Sequence, residues 1–442
     1  MKYLFLCLIL FVAQEMWGQQ VTLSREQALA DIDTLVNRIV YTHPDPFTVC
    51  PEADFRERIA RIKAELPDTL TDRDLALRII PCVVALGDGH TNVALPAMQP
   101  TPDMLLFPGE VEINWRDSTF NVKGDSAKVI RINDMPVQEV LGNMVRYAGG
   151  EQMFFRFFRV QQMFHGLLYL LYPDSVYRLV VCEPDGRQGE RTLKALSYEQ
   201  IVKQMQANNK QQVAKTRRPD YAFQVSRDAK SMFFEFNSFY DLDKFKGFAD
   251  SMFREIKERK IKNLVIDIRR NGGGNSELGD ELLQYLSHRP FVQFGKVQLR
   301  RGRYNRYLFE DDEDLRGTSD TLFTITTSLI PLRKEPLRVS KKTKVYLLIS
   351  PNTFSSASSF SWAFQYFKVG TVIGEESGGM NVCFGDVLSY VLPHSHLRCG
   401  VSWKKFCLYG ADEQDIHGTL PDIEVPADQV LDTVKQLIRK GK

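Results

Sequence analysis

VYLLISPNTFSSASSF, residues 345–360, is the stretch from which the rest of the chain can be read. Its apolar run predicts a short buried strand. The small residues Thr353, Ser355, Ser356, Ala357 and Ser358 then permit a tight turn, and a helical pattern follows over 356–367. Ser356 falls at the start of that helix, where N–H groups lack intrahelical partners and the dipole favours an anion. Strand, small-residue turn and helix in this order resemble a nucleophile elbow. A serine-rich helix cap has the same local signature.

Working outward, SMFFEF (231–236), NLVIDIR (263–269) and TVIGEE (371–376) are further short apolar strands. Helical patterns lie between them near 243–258 and 276–287. Strands alternating with helices predict an α/β region with a mainly parallel sheet from Tyr221 onward. In such sheets ligands bind beyond the carboxyl ends of the strands. The glycine run NGGG (271–274) and Ser356 both lie just past such ends. Glycines there let the backbone approach a substrate and aim amides at it. The chain has no GKS, GKT or GxGxxG after a strand, so a nucleotide loop is not expected.

Toward the N-terminus the pattern turns helical over 22–86. Ser24 and Gln27 fit a capping box before the apolar stripe Ala28, Ile32, Leu35 and Ile39. His43-Pro44-Asp45-Pro46 ends that helix, because proline lacks a donor and disfavours helix before it. A second stripe runs through Phe55, Ile59, Ile62 and Leu66. A third helix starts at Thr71 and runs toward Pro81. The loop GDGHT (87–91) follows and carries His90. Residues 106–198 read as short strands, a turn at Asn133-Asp134, a helix near Val137–Tyr147, a long aromatic helix and a hairpin about Pro184-Asp185-Gly186. Residues 199–219 are polar and basic, a linker or an exposed helix.

Bulk properties narrow the function. The chain has 442 residues, enough for two or three domains. With 57 Lys plus Arg against 55 Asp plus Glu, a net charge of +2 gives no reason to expect nucleic acid as a partner. Lys2 and the apolar run from Tyr3 to Ala13 predict a secretory signal over residues 1–18. That run is too short to span a bilayer; the alternative is a short membrane anchor. The protein is therefore expected to be exported, periplasmic or extracellular, either free or membrane-associated. Cys50, Cys82, Cys182, Cys383, Cys399 and Cys407 show no CxxC pairing, so neither a zinc site nor a dense disulfide scaffold is expected. HExxH is absent, and His394-Ser395-His396 lacks nearby carboxylates.

A weak serine nucleophile needs a base and oxyanion donors. His90, on its glycine-freed loop, is the first candidate base. His417, in DIHG, is the rival. His43 reads as a helix end and His165 as a packing residue of the aromatic helix; His288, His394 and His396 lie near polar turns.

Taken together, GDGHT, NLVIDIRRNGGG, VYLLISPNTFSSASS, VIGEESGG and HGTLPDIEV resemble the tail-specific and tricorn-core serine peptidases, the group that includes the C-terminal-processing peptidases. The pieces follow the family's order and cover most of residues 220–428 plus the loop around His90. The resemblance implies an α/β peptidase core of the ClpP/crotonase-like type (α+β overall) over 220–442. An N-terminal helical region would span 19–105 and a degenerate PDZ-like module 106–198, without the usual Gly-Leu-Gly-Phe-type loop. It also implies Ser356 as nucleophile, with Ser355 as the neighbouring candidate. The oxyanion hole would be formed by Gly272, Gly273 and the Ala357 amide. Ser359 stands where the family usually has Glu. Met380 stands where the Ser–Lys branch has its lysine, so that dyad is absent. The tricorn-like branch instead implies His90 as base and Asp415 as the acid, with Glu413 the alternative. The expected reaction is peptide hydrolysis through an acyl-enzyme on a polypeptide substrate, with no cofactor or metal. A catalytically silent peptide- or ligand-binding protein on the same fold is the alternative. A related esterase or lactam hydrolase would use the same acyl chemistry.

Overall fold

The computed structural model describes residues 20–96, 101, 104–109, 111–209, 218–309, 320–334 and 337–440. The signal reading of residues 1–18 lies outside them. The chain divides into two units, Met1–Lys215 with Val387–Val401, and Thr216–Asp386 with Ser402–Lys442.

In the first unit, Ser24 caps α1 (Arg25–Thr42) in a full capping box. Its hydroxyl accepts from the Gln27 N–H, and the Gln27 side chain accepts from the Ser24 N–H. The stripe Ala28, Ile32, Leu35 and Ile39 is buried, each large side chain contributing about 1.5–3 kcal/mol by leaving water. His43 is the C-cap. Phe55 and Ile59 of α2 (Glu52–Ala64) pack on the same core. Thr71 caps α3 (Asp72–Val84), which continues through Pro81. A proline there withholds an N–H from the Leu77 carbonyl. The Tyr147 hydroxyl donates to that carbonyl instead, at 3.1 Å, so the helix carries on for another turn. The core is completed by Leu392, Leu397, Cys399 and Val401, from the segment 387–401. Buried Asp31 of α1 accepts the N–H groups of His394 and Ser395, at 3.1 and 2.7 Å. Asn92 and Val93 pair antiparallel with Gly400 and Cys399.

The same unit holds an antiparallel sheet of β1 (Val111–Asn114), β2 (Thr119–Val122), β3 (Lys128–Ile132), β4 (Val176–Cys182) and β5 (Gln188–Lys194), in the order β5-β4-β3-β2-β1. α4 (Val137–Met144) and α5 (Met153–Leu171) cover one face through Val140, Leu141, Val160, Phe164 and Leu168. α5 is the long aromatic helix read from sequence. A helix also forms over Tyr198–Asn209, inside the stretch read as linker or exposed helix.

The second unit is built on a six-stranded sheet of β6 (Tyr221–Val225), β7 (Ser231–Phe236), β8 (Asn263–Asp267), β11 (Lys344–Ile349), β12 (Thr371–Gly374) and β15 (Ile423–Glu424), in that order. Only β6 runs antiparallel to its neighbour. Leu264, Ile266, Leu347 and Ile349 face α6 (Leu242–Glu258), α7 (Glu277–Leu286) and α8 (Ser356–Tyr366). Val265, Tyr346 and Leu348 face α9 (Val430–Lys440) through Val430 and Val434. Burial on both faces is why these strands read as unbroken apolar runs. A second, antiparallel set comprises β9 (Phe294–Arg301), β10 (Thr321–Thr326), β13 (Val382–Val391) and β14 (Arg398–Leu408), ordered β10-β9-β14-β13. The sequence reading did not pick out these strands, of which β9, β13 and β14 are interrupted by charges at Lys296, Arg300, Asp386, Lys404 and Lys405. β13 and β14 pass through both units. The fold class is thus mixed α/β, as expected. Among the described residues, no helix is long and apolar enough to cross a membrane.

Candidate active site

In the second unit, β11 ends at Ile349 and the chain reverses before α8. The turn is pinned to the neighbouring strand end. Thr353 Oγ1 donates to the Ile268 carbonyl at 3.1 Å and accepts from the Ser350 N–H at 3.1 Å. Ser350 Oγ donates to the Arg269 carbonyl at 2.7 Å. Ser355, the residue before the helix, sits at φ 53° and ψ −130°. Side chains rarely adopt that conformation, which costs about 1–3 kcal/mol. The strain places Ser356 at the first helical position, half-buried, as an elbow requires.

The glycine run meets this turn from the end of β8. Gly273 has φ 101°, and a Cβ there would lie 2.7 Å from Ser355 Cβ, 2.8 Å from the Phe354 oxygen and 3.0 Å from the Ser356 nitrogen. Gly274 has φ 135°, and a Cβ would come within 2.2 Å of the Phe239 oxygen. Only glycine fits either position. Buried Asn271 locks the loop. Its side chain donates to the Phe236 carbonyl and accepts from the Gly273 N–H, both at 2.9 Å, while its carbonyl accepts from the Phe354 N–H.

Four segments read separately in the sequence therefore converge. Ser356 Oγ donates to the Gly274 carbonyl at 2.6 Å. The VIGEESGG loop backs the elbow, with Ser358 Oγ donating to the Gly379 carbonyl at 2.6 Å. HGTLPDIEV joins through Thr419, whose N–H donates to Ser377 Oγ at 2.7 Å. Of the proposed oxyanion donors, Gly273 N–H is held by Asn271 and Ala357 N–H by the Phe354 carbonyl at 3.2 Å. The Gly272 N–H makes no hydrogen bond among the described residues.

Ser359, in place of an acid, is buried beside Gln293 Oε1 at 3.2 Å and the Ser356 carbonyl at 3.1 Å. Gln293 Nε2 in turn donates to Asp280 at 2.9 Å. Burial pushes the Asp280 carboxyl up to about 6. Met380 forms a single β-bridge with Gly418. Asp415 accepts from Asn381 Nδ2 at 2.9 Å and from the His417 N–H at 2.8 Å. Glu413 is exposed and ion-paired with Lys296 at 2.7 Å. His417 lies 3.2 Å from Glu376 and is about half exposed.

His90 belongs to the first unit, on the GDGHT loop. Asp88 organises that loop. Its Oδ1 accepts the His90 N–H at 2.8 Å, and its Oδ2 accepts the Thr91 N–H at 3.0 Å. His43 Nδ1 accepts the Asp45 N–H, so the proton sits on Nε2, which donates to Asp88 Oδ2 at 3.2 Å. Burial alone would raise the Asp88 carboxyl. The His43 hydrogen bond, the two neighbouring imidazoles and Thr91 together hold it well below the usual carboxylate range. His90 Nδ1 lies 3.9 Å from Asp88 Oδ1, and the imidazole is 13% exposed.

Glu151 completes this cluster. Polar atoms of Asp88, His90 and Glu151 all lie within 4.8 Å of one another. Burial, reinforced by the Asp88 charge, pushes the Glu151 carboxyl up to about 8. Arg159 opposes that rise, and its Nη1 donates to the Gly149 carbonyl at 2.8 Å. A cation could use the three side chains only by competing with the N–H donors on Asp88 and the Arg159 charge. The sequence reading missed Asp88, Glu151 and the ring contact of His43. Asp88 carried a signal, an acid two residues before the histidine and able to close an Asx turn; the others carried none.

The geometry agrees with the comparisons. The family model for peptidase family S41 matches residues 233–425. No curated protein matches the sequence. Among solved structures, mature CPAF is similar in fold, with a TM-score of 0.60 and 13% identity over 94% of this chain and 97% of that chain. Mature CPAF complexed with lactacystin also gives 0.60, at 15% identity over 94% and 98%. The matched region contains β8, the glycine loop, the elbow and the two loops behind it, and over those parts this chain is similar to peptidase family S41.

Proposed function

We propose that this peptidase hydrolyses peptide bonds through an acyl-enzyme on Ser356, with His90 as general base. The observation that carries the reading is the elbow. A strained Ser355 presents Ser356 at a helix start, against a loop where only glycine fits. Ser356 Oγ would leave the Gly274 carbonyl and attack the substrate carbonyl as His90 takes its proton. The tetrahedral oxyanion would be received by N–H groups of Gly272, Gly273 and Ala357. Because the last two are engaged at rest, Gly272 is the donor ready without rearrangement. Protonated His90 would then give its proton to the leaving amine, and water would repeat the sequence on the ester. Asp415 is the proposed acid, with Glu413 the alternative; the Lys296 ion pair of Glu413 favours Asp415. A second reading assigns that role to Asp88, whose carboxylate is 3.9 Å from His90 Nδ1. Export is also proposed, on the apolar run from Tyr3 to Ala13.

The test is a peptide-library digest with wild type and Ser356→Ala, alongside labelling by a fluorophosphonate. Cleavage and labelling by wild type only would support the mechanism. A folded wild type that neither cleaves nor labels would favour a silent binding protein. Turnover of esters but not peptides would point to the esterase reading.

A further inference from the structure

We propose that Glu151 is a positioning residue for His90, acting with Asp88 and Arg159 to fix the imidazole and adjust the charge beside it. This rests on His90 being the base. The geometry is local to one unit. Glu151 stands one residue before the N-cap Gln152 of α5, and its carboxyl lies within 4.8 Å of both Asp88 and His90. Both of its oxygens are buried, and the N–H groups of Glu151 and Gly89 are the donors nearest to them.

The surrounding charges are few. Asp88 and His90 come from the GDGHT loop, and His43 lies behind Asp88. From α5 come Arg159, held by the Gly149 and Gly89 carbonyls, and Arg156, turned to the Val145 and Ala148 carbonyls. The two glycines before Glu151 bring the chain close to α5. A Cβ on Gly150 would lie 2.8 Å from the Phe155 ring, and one on Gly149 would lie 3.5 Å from Arg159 Nη1.

Two carboxyls this close do not ionise together readily. Asp88, with three N–H donors, keeps the charge, and Glu151 keeps the proton until about pH 8. Below that pH the imidazole sees one carboxylate. Above it a second negative charge appears beside the ring, where the imidazolium develops in the transition state. That charge lowers the barrier, so the rate should climb a second time on the alkaline side.

The experiment is a kcat profile from pH 5 to 10 on a peptide substrate, for wild type, Glu151→Gln, Glu151→Ala and His90→Ala. Wild type should show a second rise of about fivefold to tenfold centred near pH 8, one pKa unit of added proton affinity being a factor of ten. Glu151→Gln should lose that rise. At pH 7 it should retain more of kcat than Glu151→Ala, which should fall roughly tenfold with little change in KM. An alkaline rise that persists unchanged in Glu151→Gln overturns the proposal. So does a wild type with no such rise. Should Glu151→Ala fail to fold, the near-isosteric Gln variant still decides. A His90→Ala enzyme with full activity would remove the base reading itself; a dead His90→Ala beside an unaltered Glu151→Gln profile would remove only the role of Glu151.

Discussion

Around Ser356 the partners are carbonyls, hydroxyls and one carboxamide, held by glycines that admit no side chain. Around His90 they are two carboxyls, a second imidazole and a guanidinium, nearly all out of water. The first site is made by backbone shape and the second by buried charge. Shape of that kind is written locally, in runs of Gly and Ser after a strand. Buried charge is created only when distant segments fold over it. A substitution at the first site should therefore act on geometry and leave pH dependence alone, while one at the second should act on both.

The largest effect is expected where the two sites depend on one atom. Ser356→Ala should lower kcat by about 10³-fold or more while the thermal melt stays in place, since a single hydroxyl is removed and no cavity opens. If Ser355→Ala is the dead variant instead, the elbow is displaced by one residue. His90→Ala should cost about 10³-fold, and wild-type activity should rise across roughly pH 6–7, the histidine range. Full activity here with an inactive His417→Ala would bring the base into the serine's own unit and dissolve the contrast. Asp415→Asn should cost roughly 10²-fold and Glu413→Gln far less. An unimpaired Asp415→Asn beside a crippled Asp88→Asn would move the acid to the loop that carries His90.

Stability gives a smaller and independent probe. Glu151 has a folded pKa near 8, above its unfolded value, so between about pH 4.5 and 8 the folded state holds a proton that the unfolded state has lost. Stability must then fall as pH rises through that window. Glu151→Gln removes this dependence, and at pH 8 it should be more stable than wild type by on the order of 2 kcal/mol. Denaturant melts at pH 5 and pH 8 would show it; equal shifts at both pH values would argue against a buried proton. Asp88 has the opposite sign. Its depressed pKa gives stability that is complete above about pH 4 and is lost on further acidification. The smallest effect is expected at Ser355→Gly. Relief of the φ 53° conformation should add roughly 1 kcal/mol and loosen the elbow, lowering kcat slightly. A destabilised Ser355→Gly would mean that the turn is not strained.

What could be read beforehand follows the same division. The capping box of Ser24 and Gln27, the helices at 243–258 and 276–287, and the parallel strands were legible because period and caps are local signals. So were Ser356 and the glycine loop. Glu151 and Arg159 were not, because nothing in GGEQMFF distinguishes a buried acid from a solvated one. His43 was read as a helix end, which it is; its second task depends on Asp88, 45 residues on. The strands β9, β13 and β14 escaped because charges such as Lys296, Arg300, Asp386, Lys404 and Lys405 break up their apolar runs.

The segment 387–401 bears on how the molecule comes into being. Leu392, Leu397, Cys399 and Val401 close the core of the N-terminal helices, and Cys399 and Gly400 supply the partner strand for Asn92 and Val93, just after His90. During synthesis the core of those helices is completed only after residues 392–401 have been made. The usual order, in which the first part of a chain folds first, therefore leaves this core one segment short until late in synthesis. A chain interrupted before residue 387 lacks the strand that braces the histidine loop, so a mature loop is a property of nearly completed chains. That delay ties completion of the loop that carries the proposed base to the end of translation.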